Sequence, residues 1–238
     1  MRIAFAVTGV VMGAGLLSAA EPSGNPTKYS DLTQSSRAHT EQARVPLLPE
    51  APSGTLTFYT SRAVFNAAHP GIPLETFALT NVPPNSVVGC PEPFNNTTNN
   101  ACFSPGDILP GISVLNTTAT GLVVLTPPLL GVNCVAVGPD LFADHGEMQF
   151  NPPVQAVGFD LNSNVSSTYT IEVFGPGGSL GTTIAPGAIP AIFWGVDTSS
   201  PGGISRITTN SAAGTGELYC NVAFGLAVPV ELQTFVVE

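Results

Sequence analysis

Between Phe150 and Gly181 apolar residues fall twice on every second position, first at Val157, Phe159 and Leu161, then at Tyr169, Ile171 and Val173 with Thr168, Thr170 and Glu172 between them. A period of two sends one face of an extended chain into a core and the other toward water, so this stretch predicts two strands joined by a polar turn into a hairpin, closed by a glycine-rich turn. Short strands recur around it with Gly and Pro as punctuation: Thr55–Tyr59, Leu74–Ala78, Ile112–Leu115, Leu122–Leu125, Val132–Val137, Glu147–Phe150, Ser179–Ile184, Ala191–Val196, Ile204–Thr209 and Leu218–Phe224. Val82–Pro110, crowded with Pro and Asn, predicts a loop. One helix is expected near Ser61–Ala68, with Ser61 as N-cap, Val64, Ala67 and Ala68 sharing a face beside Phe65, and His69-Pro70-Gly71 ending it. The pattern is that of an all-β chain, a two-sheet antiparallel β-sandwich of jelly-roll type, because such a winding brings together strands that are far apart in sequence.

The ends of the chain break this pattern. Residues 1–20 carry Arg2, an apolar run and then small residues up to Ala20, the layout of a secretory signal peptide. Residues 21–54 are polar and proline-bearing and read as a flexible leader; 55–227 form the sandwich domain, and 228–238 a C-terminal tail. No membrane anchor is expected in the tail, and its apolar residues from Val228 to Val237 suit addition as a strand to a neighbouring subunit's sheet edge, a route to self-association.

Charge narrows the partners. The formal net charge is −10, and from Val45 onward the basic residues are Arg62 and Arg206 alone, against thirteen Asp and Glu. Nucleic acid and anionic lipid are bound chiefly through Lys and Arg, so neither is expected. Four cysteines in an exported chain predict disulfides, and we pair Cys90 with Cys102 around a polar loop, leaving Cys134 for Cys220. A zinc site lacks the C-x-x-C and nearby His it would need.

Several short stretches, in order, carry a resemblance: Thr57 to Phe65, Leu74 to Phe77, Gln155 to Leu161, Gly177 to Gly181, Phe193 to Val196 and Asn221 to Gly225. Together they resemble exported bacterial β-sandwich proteins of the PEP-CTERM-associated type. The resemblance implies a jelly-roll fold similar to carbohydrate-binding modules, a surface or extracellular-matrix role, and no reaction. The chain departs from that pattern twice. It shows no sorting tail after Val228, and the position before Asn221-Val222, where similar modules have an acidic residue linked with calcium, holds Cys220.

Candidate chemistry is sparse. Ala143-Asp144-His145-Gly146-Glu147 sets a His between two carboxylates, which suits metal binding or proton transfer but reads first as a polar turn before a strand. Gly177-Gly178-Ser179-Leu180-Gly181 matches G-x-S-x-G, yet a nucleophile elbow opens a helix whereas Thr182-Thr183-Ile184 follows here, so a hairpin turn is expected. Glu75, Asp107, Asp140, Asp160 and Asp197 supply oxygen ligands of the kind calcium takes, without a D-x-D-x-D-G loop; Glu75 and Asp160 are the candidate ligands. Asp160, alternating with Phe159 and Leu161, is expected to face solvent unless something pairs it. Trp194, the one tryptophan, is the candidate ligand platform, although a lone Trp in a sandwich more commonly packs in the core, and it and Phe193 point to opposite faces of their strand. With no catalytic residues and no cofactor assigned beyond calcium, the expected function is a secreted, non-catalytic surface or matrix protein. The alternatives are a carbohydrate-binding module with a glycan partner and, third, a hydrolase working through Asp144, His145 or Glu147.

Overall fold

The computed structural model describes residues 54–117, 121–140, 145–163, 167–211 and 216–225, so the predicted signal peptide, nearly all of the leader and the tail lie outside the described residues. The first elements are β1 (Leu56–Tyr59), α1 (Arg62–Ala68), β2 (Leu74–Glu75), β3 (Val87–Cys90), β4 (Phe94–Asn95), β5 (Ile112–Asn116), β6 (Leu122–Leu125) and β7 (Ala136–Pro139). Longer strands follow: β8 (Gly146–Val154), β9 (Ala156–Ser163), β10 (Ser167–Gly175), β11 (Gly178–Gly187), β12 (Ile192–Thr198), β13 (Ile204–Ser211) and β14 (Glu217–Gly225). They build two antiparallel sheets packed face to face, as the alternation predicts. One is eight-stranded in the order β1-β12-β9-β14-β7-β6-β3, with β2 also on β14; the other is six-stranded, β11-β10-β13-β8-β5-β4.

The period of two decides what lies between the sheets. On the six-stranded sheet Met148, Phe150, Tyr169, Ile171, Val173 and Ile207 turn inward; Val157, Phe159, Leu161, Trp194, Val196, Tyr219 and Phe224 meet them from the other sheet, all buried in one cluster. Fully burying one such side chain is worth about 1.5–3 kcal/mol, which makes this layer the main source of stability. The eight-stranded sheet is covered on its outer face as well. There α1 sets Phe65 over Ala156 and Ala223, while Leu125, Val132, Ala136 and Cys220 form a second satellite cluster. Gly158 and Gly195 are paired across β9 and β12, and a Cβ on either would come within 3.0 Å of Phe65. These two glycines make the hollow in which the helix is seated.

The predicted hairpin of β9 with β10 is corrected. β9 pairs with β12 and β14 in one sheet, whereas β10 pairs with β11 and β13 in the other, so the chain crosses between sheets here. Alternation reports which face of a strand is buried and is silent on its neighbour. The hairpin is β10–β11, turning at Pro176-Gly177 with Gly175 opposite Gly178, and Gly178 adopts φ 124, which glycine favours. Other boundaries moved. Val82–Pro110 contains β3 and β4, Leu74–Ala78 shrinks to β2 because Phe77 turns at φ 55, and Val132–Val137 is replaced by β7, which starts at Ala136. The helix forms where expected, but Phe65 alone is buried while Val64, Ala67 and Ala68 are exposed, and Ser61 caps it by backbone geometry without a side-chain hydrogen bond.

Both disulfides form with the expected partners, Cys90–Cys102 and Cys134–Cys220. The first ties β3 to the loop beyond β4; the second ties the segment before β7 to the middle of β14. Among the described residues no helix is long and apolar enough to cross a membrane.

Candidate functional site

Asp160 does not face solvent unpaired. The register sets it opposite Phe193 and Cys220 on the outer face of the eight-stranded sheet, where α1 delivers Arg62 at 2.9 Å from its Oδ1. Asn221 Nδ2 donates to Asp160 Oδ2 (2.8 Å), and Arg62 also donates to the Asn221 carbonyl (2.8 Å) while its guanidinium lies 4.6 Å from the Phe193 ring centroid. Beside this clamp the Tyr59 hydroxyl donates to Asp197 Oδ2 (2.6 Å), with His69 Nε2 at 3.2 Å from the same oxygen. Burial, then the hydrogen bond to Asp197 and its charge, push the Tyr59 phenol up to about 12. Both sets of contacts fasten α1 to the sheet.

Glu75 is 4% exposed, and its two oxygens are taken up by the chain itself: Oε1 accepts the Phe77 N–H (2.5 Å) and Oε2 the Leu109 N–H (2.6 Å). The structure therefore does not bring Glu75 and Asp160 together as ligands for calcium. A cation beside Asp160 would face the Arg62 guanidinium, one beside Glu75 would displace two backbone donors, and no group of three His, Cys, Asp or Glu suited to a metal occurs among the described residues. Trp194 takes the core position, the more common of its two readings, rather than the ligand platform. It is 4% exposed, with its ring 5.1 Å from Phe159 and 6.0 Å from Phe58, so it packs in the core and offers no platform; Phe193 is covered by α1.

Asp144 lies outside the described residues. His145 Nδ1 stands 3.8 Å from Oε1 of Glu217, a fully buried carboxylate that accepts the Gly146 N–H (2.9 Å) and a longer bond from Thr209 (3.5 Å). Thr209 is hydrogen-bonded in turn to the Tyr219 hydroxyl, and burial, then the Glu217 charge, hold the Tyr219 phenol well above the usual tyrosine range. Glu147 pairs instead with Arg206 at 3.4 Å. The group stitches β8, β13 and β14 together at one end of the sandwich. Ser179 sits in the β10–β11 hairpin, exposed, at the position where that turn re-enters the sheet.

A different surface collects exposed and half-buried hydrogen-bonding groups. On the outer face of the six-stranded sheet Glu147, Gln149, Thr170, Glu172, Thr208 and Asn210 alternate with the buried inner row, and register sets Gln149 and Phe174 on either side of Arg206. The Arg206 guanidinium lies 3.8 Å from the Phe174 ring centroid, and both border a cleft of about 400 Å³ with Gln149, Asn151, Pro176 and Ser205. Sequence inspection had a signal for this place, since Arg206 is one of two basic residues after Val45, but cross-strand register was needed to set Phe174 beside it. No family model matches the chain, and comparison with curated proteins and with solved structures finds no significant match.

Proposed function

We propose that the chain is a secreted, non-catalytic β-sandwich protein, jelly-roll in its winding and similar to the exported PEP-CTERM-associated proteins, with an interaction role at the cell surface or in the extracellular matrix. The observation that carries this reading is the outer face of the six-stranded sheet, where amide, hydroxyl and carboxylate side chains surround one aromatic–guanidinium pair. Two disulfides support an oxidising compartment. To test it, the full chain is expressed in an exporting host and mixed with isolated extracellular matrix. Recovery outside the cytoplasm with both disulfides formed, and retention on the matrix that falls at least tenfold in a Gln149→Ala/Phe174→Ala/Arg206→Ala variant, is the expected outcome. Cytoplasmic retention with free thiols, or equal retention of the variant, would overturn it.

The same cleft favours a glycan as the partner, because a ring and a guanidinium with neighbouring amides match the C–H faces and hydroxyls of a sugar. A glycan array run with and without chelator separates this reading from protein–protein contact, and binding that survives chelator is expected. The tail, 228–238, and the β11 edge suggest self-association, which truncation after Gly225 should abolish in sedimentation.

A further inference from the structure

We propose that the outer face of the eight-stranded sheet holds a pocket for a small, uncharged, apolar molecule bearing one hydrogen-bond donor, received by the side-chain carbonyl of Asn162. A cavity of about 300 Å³ opens there, walled by Val87, Val123, Leu125, Leu130, Ile189 and Leu218, at the lower end of the ~300–1,000 Å³ typical of small-molecule sites. Asn162 lines it from β9, opposite Leu218 of β14. Its side chain is fully buried, with Nδ2 3.3 Å from Cys220 Sγ, while Oδ1 is buried and has no hydrogen-bond partner among the described residues.

Buried amide oxygens are nearly always paired, so an acceptor left open beside an apolar cavity marks the place of a donor that comes from outside. Water answers poorly, because it needs two to four polar partners. Among the described residues the walls are apolar apart from Asn162, Asp140 and Ser163, and the Ser163 hydroxyl accepts the Tyr169 O–H at 2.5 Å. Charge selects the ligand further. Among the described residues no Lys or Arg lines the cavity and Asp140 is exposed there, so a carboxylate is disfavoured and a neutral alcohol or amide favoured. Leu130, at φ 53 and 68% exposed, and Val87, 54% exposed, add exposed apolar surface for the ligand's hydrocarbon part.

The test titrates the full chain with 1-octanol, methyl octyl ether and octanoate, following calorimetric heat and backbone amide shifts at Asn162 and Leu218. Saturable one-to-one binding of octanol, with ether and octanoate at least tenfold weaker, is the expected result. Asn162→Leu removes the preference for alcohol over ether. Val123→Phe fills the cavity and abolishes binding, with its unfolding midpoint and disulfides checked to show that it folds. Three outcomes would overturn the proposal: no saturable octanol binding to the wild type (a cavity that holds water only), equal affinity for alcohol and ether, or unchanged affinity in folded Val123→Phe.

Discussion

Glutamine at position 75 separates a scaffold carboxylate from a calcium ligand. In the wild type both Glu75 oxygens accept backbone N–H groups, from Phe77 at 2.5 Å and Leu109 at 2.6 Å, at 4% exposure. A hydrogen bond to a charged group contributes about 1.5–3 kcal/mol, and a buried donor left unpaired costs about 1–3 kcal/mol. Glu75→Gln keeps the shape but turns an NH₂ toward one of the two N–H donors, so one bond is lost, two donors face each other, and the remaining bond becomes neutral. Relief from burying a carboxylate offsets part of this loss, leaving a net destabilisation of about 2–3 kcal/mol. Urea unfolding with both disulfides intact is the assay; with a slope of about 2 kcal/mol/M, the midpoint falls by about 1–1.5 M at constant slope. If the Glu75→Gln midpoint stayed within about 0.3 M of wild type, the clamp assignment would fail. The wild-type midpoint is expected to be the same in calcium and in chelator, and a calcium-dependent rise would return Glu75 to the ligand set.

Opening Cys134–Cys220 by double serine substitution should destabilise more than opening Cys90–Cys102. The separations are 86 and 12 residues, worth about 4.6 and 2.8 kcal/mol in the loop-entropy account, and denaturant midpoints order them. The Tyr59 phenol, raised to about 12, binds its proton in the folded state where the unfolded chain has lost it, so stability is complete below about pH 10 and declines as pH rises toward 12; Tyr59→Phe should flatten part of that decline in midpoints measured across this window. Gly158→Ala and Gly195→Ala each push a methyl against Phe65, and a loss of about 1–3 kcal/mol is expected, read as a lower thermal midpoint with backbone shifts concentrated in α1.

What the amino-acid pattern disclosed, and what it withheld, follows from the range of each force. Alternation at Tyr169, Ile171 and Val173 exposes burial to a reader because side-chain direction is a property of one strand. Strand partners are a property of the whole sheet, and so the alternation predicts a hairpin of β9 and β10, adjacent in the chain, although they lie in different sheets. The alternation of Val157, Phe159 and Leu161 predicts a half-buried strand, whereas β9 is buried on both faces, because the small residues Ala156 and Gly158 make room for α1 rather than facing water. The disulfide pairing was legible because a polar loop between Cys90 and Cys102 leaves few other ways to order it. The partner of Asp160 was not legible, and Trp194 was legible only as the core residue that a lone tryptophan in a sandwich commonly is. The residue that pairs the aspartate is 98 positions away, and the choice between the two faces of β12 depends on where the helix is seated.

The central strand β14 shows why Asp160 has the partners it has. Tyr219, Val222 and Phe224 all enter the core between the sheets, whereas Cys220 and Ala223 belong to the satellite clusters outside. A strict period of two cannot send 219 and 222 to the same side; one residue must be spent to change parity. The β9–β14 register shifts between Cys220 and Ala223, and Asn221 adopts φ 50, so Asn221 is the extra residue of a bulge. Asn tolerates that left-handed conformation better than most residues, and here its amide and carbonyl are held by Asp160 and Arg62. The clamp therefore fixes the phase of the strand as well as the helix. Asn221→Ala should cost about 2 kcal/mol, about 1 from the positive φ and about 1 from the lost hydrogen bond. Asn221→Gly should recover the conformational half, and Asp160→Ala, which leaves φ untouched, should match the other half or exceed it by freeing Arg62. Equal losses in Asn221→Ala and Asn221→Gly, measured by urea unfolding, would mean that the bulge is not held by the left-handed preference of this residue.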